Sequence, residues 1–356
     1  MDSPRFSAIL LTYRRADYLR ECLASLAAAD RRDVEEIIVV VNGDDPEAED
    51  IIAGWRGALP ELRPLAFPRL SRGAARNQAA QRARGDVLYF LDDDAHVAPD
   101  IFAKATALYR ERPAAWAVGG PNLTPASDSV FQRAVGGVLS SRFGAWSMSR
   151  RYRASGHARF EDDKSLMLCN LSVRREAFTR LGLRFDEQLV SAEENLLLAE
   201  LARRGLGLLY APGLVVYHHR RKTLAGFASQ TFKCGAGRSQ MTRLAPSTFS
   251  PVFALPSALL LFMLASPFLP RGLAELVLGA YAAAAAVQAS SYGLRGGGLD
   301  GALLVFVLAP AAHLCYGAGL LIGVLLMYPR KKERDSAGRR DLLSRGAFGR
   351  LQKLLP

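Results

Sequence analysis

Residues 86–94 read DVLYFLDDD, five apolar residues running directly into three acids. An unbroken apolar run of this length suits a strand buried on both faces, as in a parallel sheet, better than a half-exposed one. Ligands in open α/β sheets gather beyond the carboxyl ends of the strands, so Asp92, Asp93 and Asp94 stand where a site is expected. A D-x-D spacing directs Asp92 and Asp94 toward one point, where a hard divalent cation can bridge them to a diphosphate. Mg²⁺ or Mn²⁺ takes such oxygen ligands and completes its shell with phosphate oxygens and water. The competing reading is an N-cap cluster for the next helix. It leaves three like charges repelling one another at the sheet edge.

The flanking sequence supplies the rest of such a sheet. Phe6–Thr12 (FSAILLT) has strand length, Asp17–Ala28 repeats apolar residues at helical spacing, and Glu36–Val41 (EIIVVV) is β-branched. Strand, helix, strand is a βαβ unit, the crossover that parallel strands require. Arg72–Ala83 and 102–112 read as helices and 116–120 as a strand, whereas 122–165 mixes serines, glycines and basic residues as a long insertion or mobile loop would. Pattern resumes in strand-like LMLCNLSV, helical Arg175–Leu181 and Glu193–Arg204, and strand-like LGLLYAP and VVYHH.

After Thr223 the composition shifts. Phe227–Leu244 interleaves apolar residues with Lys233, Arg238 and Arg243, as an interfacial amphipathic helix does. Apolar stretches follow at 250–269, 273–291 and 302–328, each near the ~20 residues that cross a bilayer. The expected organisation is a catalytic domain over 1–225, an interfacial helix over 226–247, a membrane region over 248–329 and a basic cytoplasmic tail over 330–356. Arg330, Lys331, Lys332 and Arg334 place that tail inside by the positive-inside rule, as the basic catalytic domain is placed. Three full crossings cannot leave both on one side. One stretch is therefore expected to be re-entrant, and Pro310 points to the third.

The chain has 356 residues, half of them hydrophobic, and a formal net charge of +12. Its basic residues are dispersed and no nucleic-acid-binding signature accompanies them, so an anionic membrane surface explains the excess and nucleic acid is not expected as a partner. The four cysteines are far apart and lack metal-ligand spacing, which fits a reducing compartment. No signal peptide is read at the start.

The segments LLTYRR, RGAARNQA, DVLYFLDDDAHVAPD, CNLSVRREAF, LGLRFDEQL, AEENLLLAELARRG and VVYHHRR, in this order over about the first 225 residues, resemble the family 2 glycosyltransferases of GT-A fold, a bacterial envelope-polysaccharide type. The resemblance implies an α/β domain, a Rossmann-like mixed sheet flanked by helices, and a metal-dependent inverting transfer from a nucleotide-diphospho-sugar. It carries Asp92 and Asp94 onto the metal, with Asp93 beside them at the donor, and Thr12, Tyr13 and Arg14 onto the nucleoside. Arg76 and Asn77 match the segment near base and diphosphate. Glu194 falls at the general base, where Asp is commoner, and Glu193 at its orienting neighbour. His218 and His219 match a C-terminal histidine that meets metal or diphosphate.

Two departures bear on specificity. The family often ends its second strand in an Asp that binds the base, but here Val41 stands there and Asn42 follows, so a UDP-sugar is only the default donor. Processive members carry Q-x-x-R-W on the interfacial helix, and Gln230–Cys234 lacks the Trp, which favours transfer of one sugar. The expected acceptor is a lipid-linked or membrane-proximal glycan at the cytoplasmic face of a bacterial inner membrane, with membrane lipids as partners. The alternatives are a polyprenyl-phosphate sugar transferase, whose acceptor is already ionised, and a non-catalytic nucleotide-sugar-binding scaffold. A nucleotidyltransferase would want a Gly-rich phosphate loop, which is missing.

Overall fold

A computed structural model describes residues 3–189 and 191–326. The basic tail over 330–356 lies outside the described residues. The N-terminal portion runs β1 (Phe6–Thr12), α1 (Ala16–Ala28), β2 (Val34–Asn42), α2 (Pro46–Trp55), β3 (Leu62–Phe67), α3 (Arg72–Arg82), β4 (Val87–Asp92), β5 (Ala95–Val97), α4 (Ile101–Glu111), β6 (Ala115–Gly119) and β7 (Asn122–Leu123). It continues through α5 (Val130–Leu139), α6 (Arg142–Ala145), a 3-10 turn at Trp146–Tyr152, β8 (Arg159–Phe160), β9 (Leu171–Arg174), α7 (Glu176–Thr179), α8 (Glu193–Arg203), β10 (Gly207–Tyr210) and β11 (Val216–His218).

The main sheet has the order β3-β2-β1-β4-β9-β6-β10-β8. Its first four strands are parallel, and β9 enters antiparallel to both β4 and β6. Because side chains alternate across a strand, each face fills a different core. Phe6, Ala8, Leu10, Tyr89 and Leu91 pack with α1, α2 and α4, while Ile9, Leu88 and Phe90 pack with α3, α7 and α8. The parallel register sets Thr12 beside Val41 and Leu11 beside Asp92, so the carboxyl ends of β1, β2 and β4 converge on one edge.

A small second sheet, β5-β11-β7, stands on that edge. In its antiparallel pair His218 faces Ala95 and Tyr217 faces His96, which delivers His218 to the residue next to Asp94.

Residues 122–165 fold more than their composition suggests. Ser129 and Gln132 form a capping box that starts α5. Gly136 and Gly137, which read as breakers, are close-packing positions: a β-carbon there would stand 2.0 Å from Thr124 Oγ1 and 2.4 Å from the Tyr292 ring.

Beyond the sheet come α9 (Leu224–Leu244), α10 (Leu255–Ala265), α11 (Arg271–Tyr292) and α12 (Gly298–Leu326). Pro251–Phe268 and the stretch Arg271–Leu325 are each long and apolar enough to cross a membrane. The expectation for Pro310 is corrected, since it lies inside the continuous 29-residue α12.

Candidate active site

Asp92 ends β4, and the chain turns at Asp93 and Asp94 before β5 begins. The turn sends the three carboxylates to different partners. Asp93 accepts from Thr12 Oγ1 at 2.9 Å and from Arg15 Nη1 at 2.7 Å. Asp94 accepts from the same Arg15 nitrogen at 2.9 Å and stands 3.0 Å from His218 Nε2. Asp92 Oδ1 accepts from Arg76 Nη2 at 3.0 Å, and its Oδ2 lies 4.0 Å from His218 Nε2. His218 Nε2 thus stands between Asp94 and Asp92.

Their electrostatics differ. Burial opposes ionisation of Asp94, yet His218, Arg15 and Arg221 together hold its carboxyl well below the ordinary carboxylate range. Burial dominates at Asp93 and lifts it to about 6 against the pull of Arg15.

Glu193 and Glu194 open α8, directly after Ala192, which holds a left-handed backbone at φ 67°. Backbone of that kind costs about 1–3 kcal/mol at a non-glycine residue and persists where its surroundings fix it. Here the Glu193 carboxylate is fixed by Arg76 Nη1 at 2.7 Å, with Arg72 Nε at 3.7 Å. Burial opposes its charge, but Arg72 and Arg76 keep its carboxyl below the usual value. Glu194 is the reverse: burial, then the neighbouring Glu193, raises its carboxyl, and Arg151 and Arg76 only partly offset this. Two adjacent carboxylates are thereby driven apart in basicity.

The histidines separate by strand alternation. His218 is buried toward Asp94, and its Nδ1 lies 3.2 Å from Arg220 Nη1. A guanidinium has only donors, so Nδ1 accepts and Nε2 carries the proton that faces Asp94. His219, expected beside it, points the other way. Its Nδ1 pairs with Asp128 at 2.5 Å and its Nε2 with Glu21 at 2.7 Å. These two carboxylates, Asp128 first, raise the His219 imidazole above its ordinary value.

The amides of Asn42 and Asn77, expected at the donor, are engaged with backbone. Asn42 clasps Leu70 through both amide ends, at 3.1 and 3.0 Å. Asn77 does the same to Phe185, at 2.9 Å each way. Tyr13 and Arg14 do lie at the edge: Arg69 covers the Tyr13 ring at 3.8 Å, and the Arg14 amide donates to Asp45.

Sequence reading missed Arg15, whose partners become visible only when β1 and β4 are aligned. It missed Arg220, fully buried among Asn122, Thr124 and the Tyr152 ring. It also missed Cys169, whose Sγ shares a 4.8 Å cluster with Asp92 and His218. Burial, with Asp92 beside it, keeps that thiol protonated well above its usual range.

A mixed sheet flanked by helices is the GT-A arrangement. It is shared by the mannosyltransferase PcManGT from Pyrobaculum calidifontis in complex with GDP-Man and Mn²⁺, at TM-score 0.60 and 20% identity over 91% of this chain and 88% of that one. Residues 7–182 match the model of the glycosyl transferase family 2. Among curated relatives, the succinoglycan biosynthesis protein ExoM of Rhizobium meliloti (strain 1021) is 29% identical over 63% of this chain and 71% of its own length. The O-antigen biosynthesis protein RfbC of Myxococcus xanthus is 26% identical over 61% of this chain, which spans only 17% of that protein. The putative glycosyltransferase EpsH of Bacillus subtilis (strain 168) is 29% identical over 28% of this chain and 29% of its own.

Proposed function

We propose that the protein is an inverting, membrane-associated glycosyltransferase of envelope polysaccharide or glycolipid synthesis. It moves one sugar from a nucleotide-diphospho-sugar to a lipid-linked or membrane-proximal acceptor. The observation that carries this reading is the meeting of Asp92, Asp94 and His218 with the Glu193–Glu194 pair through Arg76. The names of ExoM and RfbC support the polysaccharide setting. The apolar α10–α12 region supports a bilayer location, with the catalytic domain in the cytoplasm.

The donor set of two carboxylates at one edge fits a hard cation such as Mg²⁺ or Mn²⁺. Asp92 and Asp94 would hold it, and it would neutralise charge on the departing diphosphate. In the tautomer that Arg220 imposes, His218 serves as a donor to a diphosphate oxygen. Only the other tautomer, with Arg220 drawn back, would make it a ligand. Glu194 accepts the acceptor hydroxyl proton as that oxygen bonds to the anomeric carbon and the carbon–oxygen bond to the diphosphate breaks. Arg76 holds Glu193 against Asp92, so donor and base elements move as one body.

The test is donor binding by the detergent-solubilised chain across UDP-, GDP- and dTDP-sugars, with Mn²⁺ and then with chelator. Metal-dependent binding of one nucleotide is expected. Failure to bind any would sink the reading in favour of a scaffold. Transfer assays with Glu194→Gln then separate a hydroxyl acceptor, for which turnover is lost, from a polyprenyl phosphate, for which it survives.

A further inference from the structure

A cavity of about 300 Å³ lies between the N-terminal portion and the apolar helices, lined among others by Ser141, Arg142, Arg153, Gln288, Ser291 and Arg295. No carboxylate lines it, and among the described residues none of these three guanidinium groups makes an ion pair. The Nε of Arg153 is buried without a hydrogen-bond partner. Like charges brought into one cleft repel unless an anion sits between them, and a guanidinium fork matches phosphate oxygens in particular.

The cavity is held by packing. Tyr292 at the end of α11 sits in a slot of glycines, where a β-carbon at Gly137, Gly297 or Gly301 would stand 2.4, 2.2 or 2.8 Å from its ring. Directly after it the chain leaves helical geometry at Arg295 and Gly296, the latter at φ 97°, which carries Arg295 to the cavity. Leu294 and Leu299 on either side of this turn are 90% and 76% exposed. A cationic, acid-free cleft therefore opens beside an uncovered apolar surface.

We propose that this cavity binds the phosphate of a bilayer-anchored lipid, with the headgroup among Arg142, Arg153 and Arg295 and the chain along the exposed Leu294 and Leu299. Clusters of basic residues at the edge of apolar helices attract such headgroups. The chemistry is common to an anionic phospholipid and to an isoprenyl diphosphate carrier. The inference rests on the reading of α10–α12 as membrane-embedded, under which a lipid-borne phosphate is the anion at hand.

The experiment uses the full chain in a neutral detergent. Its thermal midpoint is read with dioleoyl phosphatidylglycerol, undecaprenyl diphosphate, dioleoyl phosphatidylcholine or inorganic pyrophosphate. One of the two anionic lipids should raise the midpoint by roughly 3 °C more than phosphatidylcholine at tenfold excess over its Kd, and the larger shift assigns the source. Arg153→Gln/Arg295→Gln should lose most of that difference, and Gln288→Glu, which places an acid in the cleft, should lose it as well. Equal shifts with anionic and zwitterionic lipid, a full shift with pyrophosphate alone, or an undiminished shift in both variants would overturn the proposal. Mn²⁺-dependent nucleotide binding, measured on the same samples, confirms that the variants are folded. Its loss in the wild-type chain would sink the transferase reading and leave the lipid result standing, and extraction of the wild-type chain from membranes by alkaline carbonate would sink the membrane reading.

Discussion

Arg76 Nη1 donates to Glu193 Oε1 at 2.7 Å, and both side chains are buried although 117 positions separate them in the chain. Removing one partner of such a pair leaves an uncompensated buried charge, at a cost of about 3–5 kcal/mol. Arg76→Met should therefore lower the unfolding free energy by that order, read by denaturant titration. Arg76→Lys keeps the charge but cannot reach Asp92 and Glu193 with two nitrogens at once. It should stay folded and lose roughly 10²-fold in transfer rate, since small misplacements of catalytic groups cost that much. A Lys variant with normal turnover would show that the bridge serves stability alone.

The two histidines give a paired prediction. Asp94→Asn should abolish Mn²⁺-dependent nucleotide binding, whereas His219→Gln, altered on the far side of β11, should leave it unchanged. His218→Gln keeps a side-chain amide donor at about the same place, so it should slow transfer while retaining metal affinity. A drop of more than about 100-fold in apparent Mn²⁺ affinity for His218→Gln, beyond what the loss of an outer-shell partner costs, would instead make His218 a ligand and reverse the tautomer that Arg220 implies.

Much of this arrangement was legible beforehand because its signals are local. The apolar run into Asp92–Asp94, the βαβ spacing and the β-branched EIIVVV each specify their own element, and β1 spans Phe6–Thr12 as read. What escaped depends on pairing between distant segments. The separation of His218 from His219 follows from period-two alternation on β11, which was available, but their partners Asp94, Asp128 and Glu21 are set by sheet register. Asn42 and Asn77 look like donor contacts in sequence, yet each clasps a backbone segment that only the fold brings near. Helix α5 was unreadable because its glycines pack against Thr124 and Tyr292, contacts that composition cannot reveal.

The raised Glu194 carboxyl predicts a pH dependence with two readouts. A base must be ionised, so transfer should fall as pH drops, with the limb above the ~4.3 of an unperturbed Glu. For stability the sign is opposite to that of a salt-bridged acid. The folded state holds this proton more tightly than the unfolded chain, so stability is lost as pH rises from the unfolded pKa through the folded one. Glu194→Gln should then be more stable than wild type at pH 7 and indistinguishable from it near pH 4, by thermal unfolding at both. Equal midpoints at pH 7 would remove the strain assigned to Glu194.

His219 predicts the complementary trend. Its folded pKa is raised by Asp128 and Glu21, so its contribution is complete below the unfolded value of ~6.5 and is lost as pH rises through the folded one. The midpoint difference between wild type and His219→Gln should be larger at pH 6 than at pH 9. A difference independent of pH would mean that packing on Tyr18, at 5.2 Å between ring centroids, carries the contribution.

Gly237 connects the apolar helices to the acids. A β-carbon on it would stand 2.7 Å from the carbonyl oxygen of Ser191, the residue before left-handed Ala192 and the Glu193–Glu194 pair. Helix α9 cannot simply retreat, because behind it a β-carbon at Gly235 would meet the Tyr316 carbonyl at 2.1 Å, across the seam with α12. Gly237→Val must therefore displace the 191–192 turn. Overpacking of this kind costs about 1–3 kcal/mol, while Asp92 at the end of β4 and Asp94 in the turn after it are untouched. Transfer should fall roughly 10²-fold with Mn²⁺-dependent donor binding unchanged, a split read from single-turnover rates beside equilibrium titration. If binding and rate fell together, α9 would be supporting the whole domain rather than setting the position of the catalytic acids.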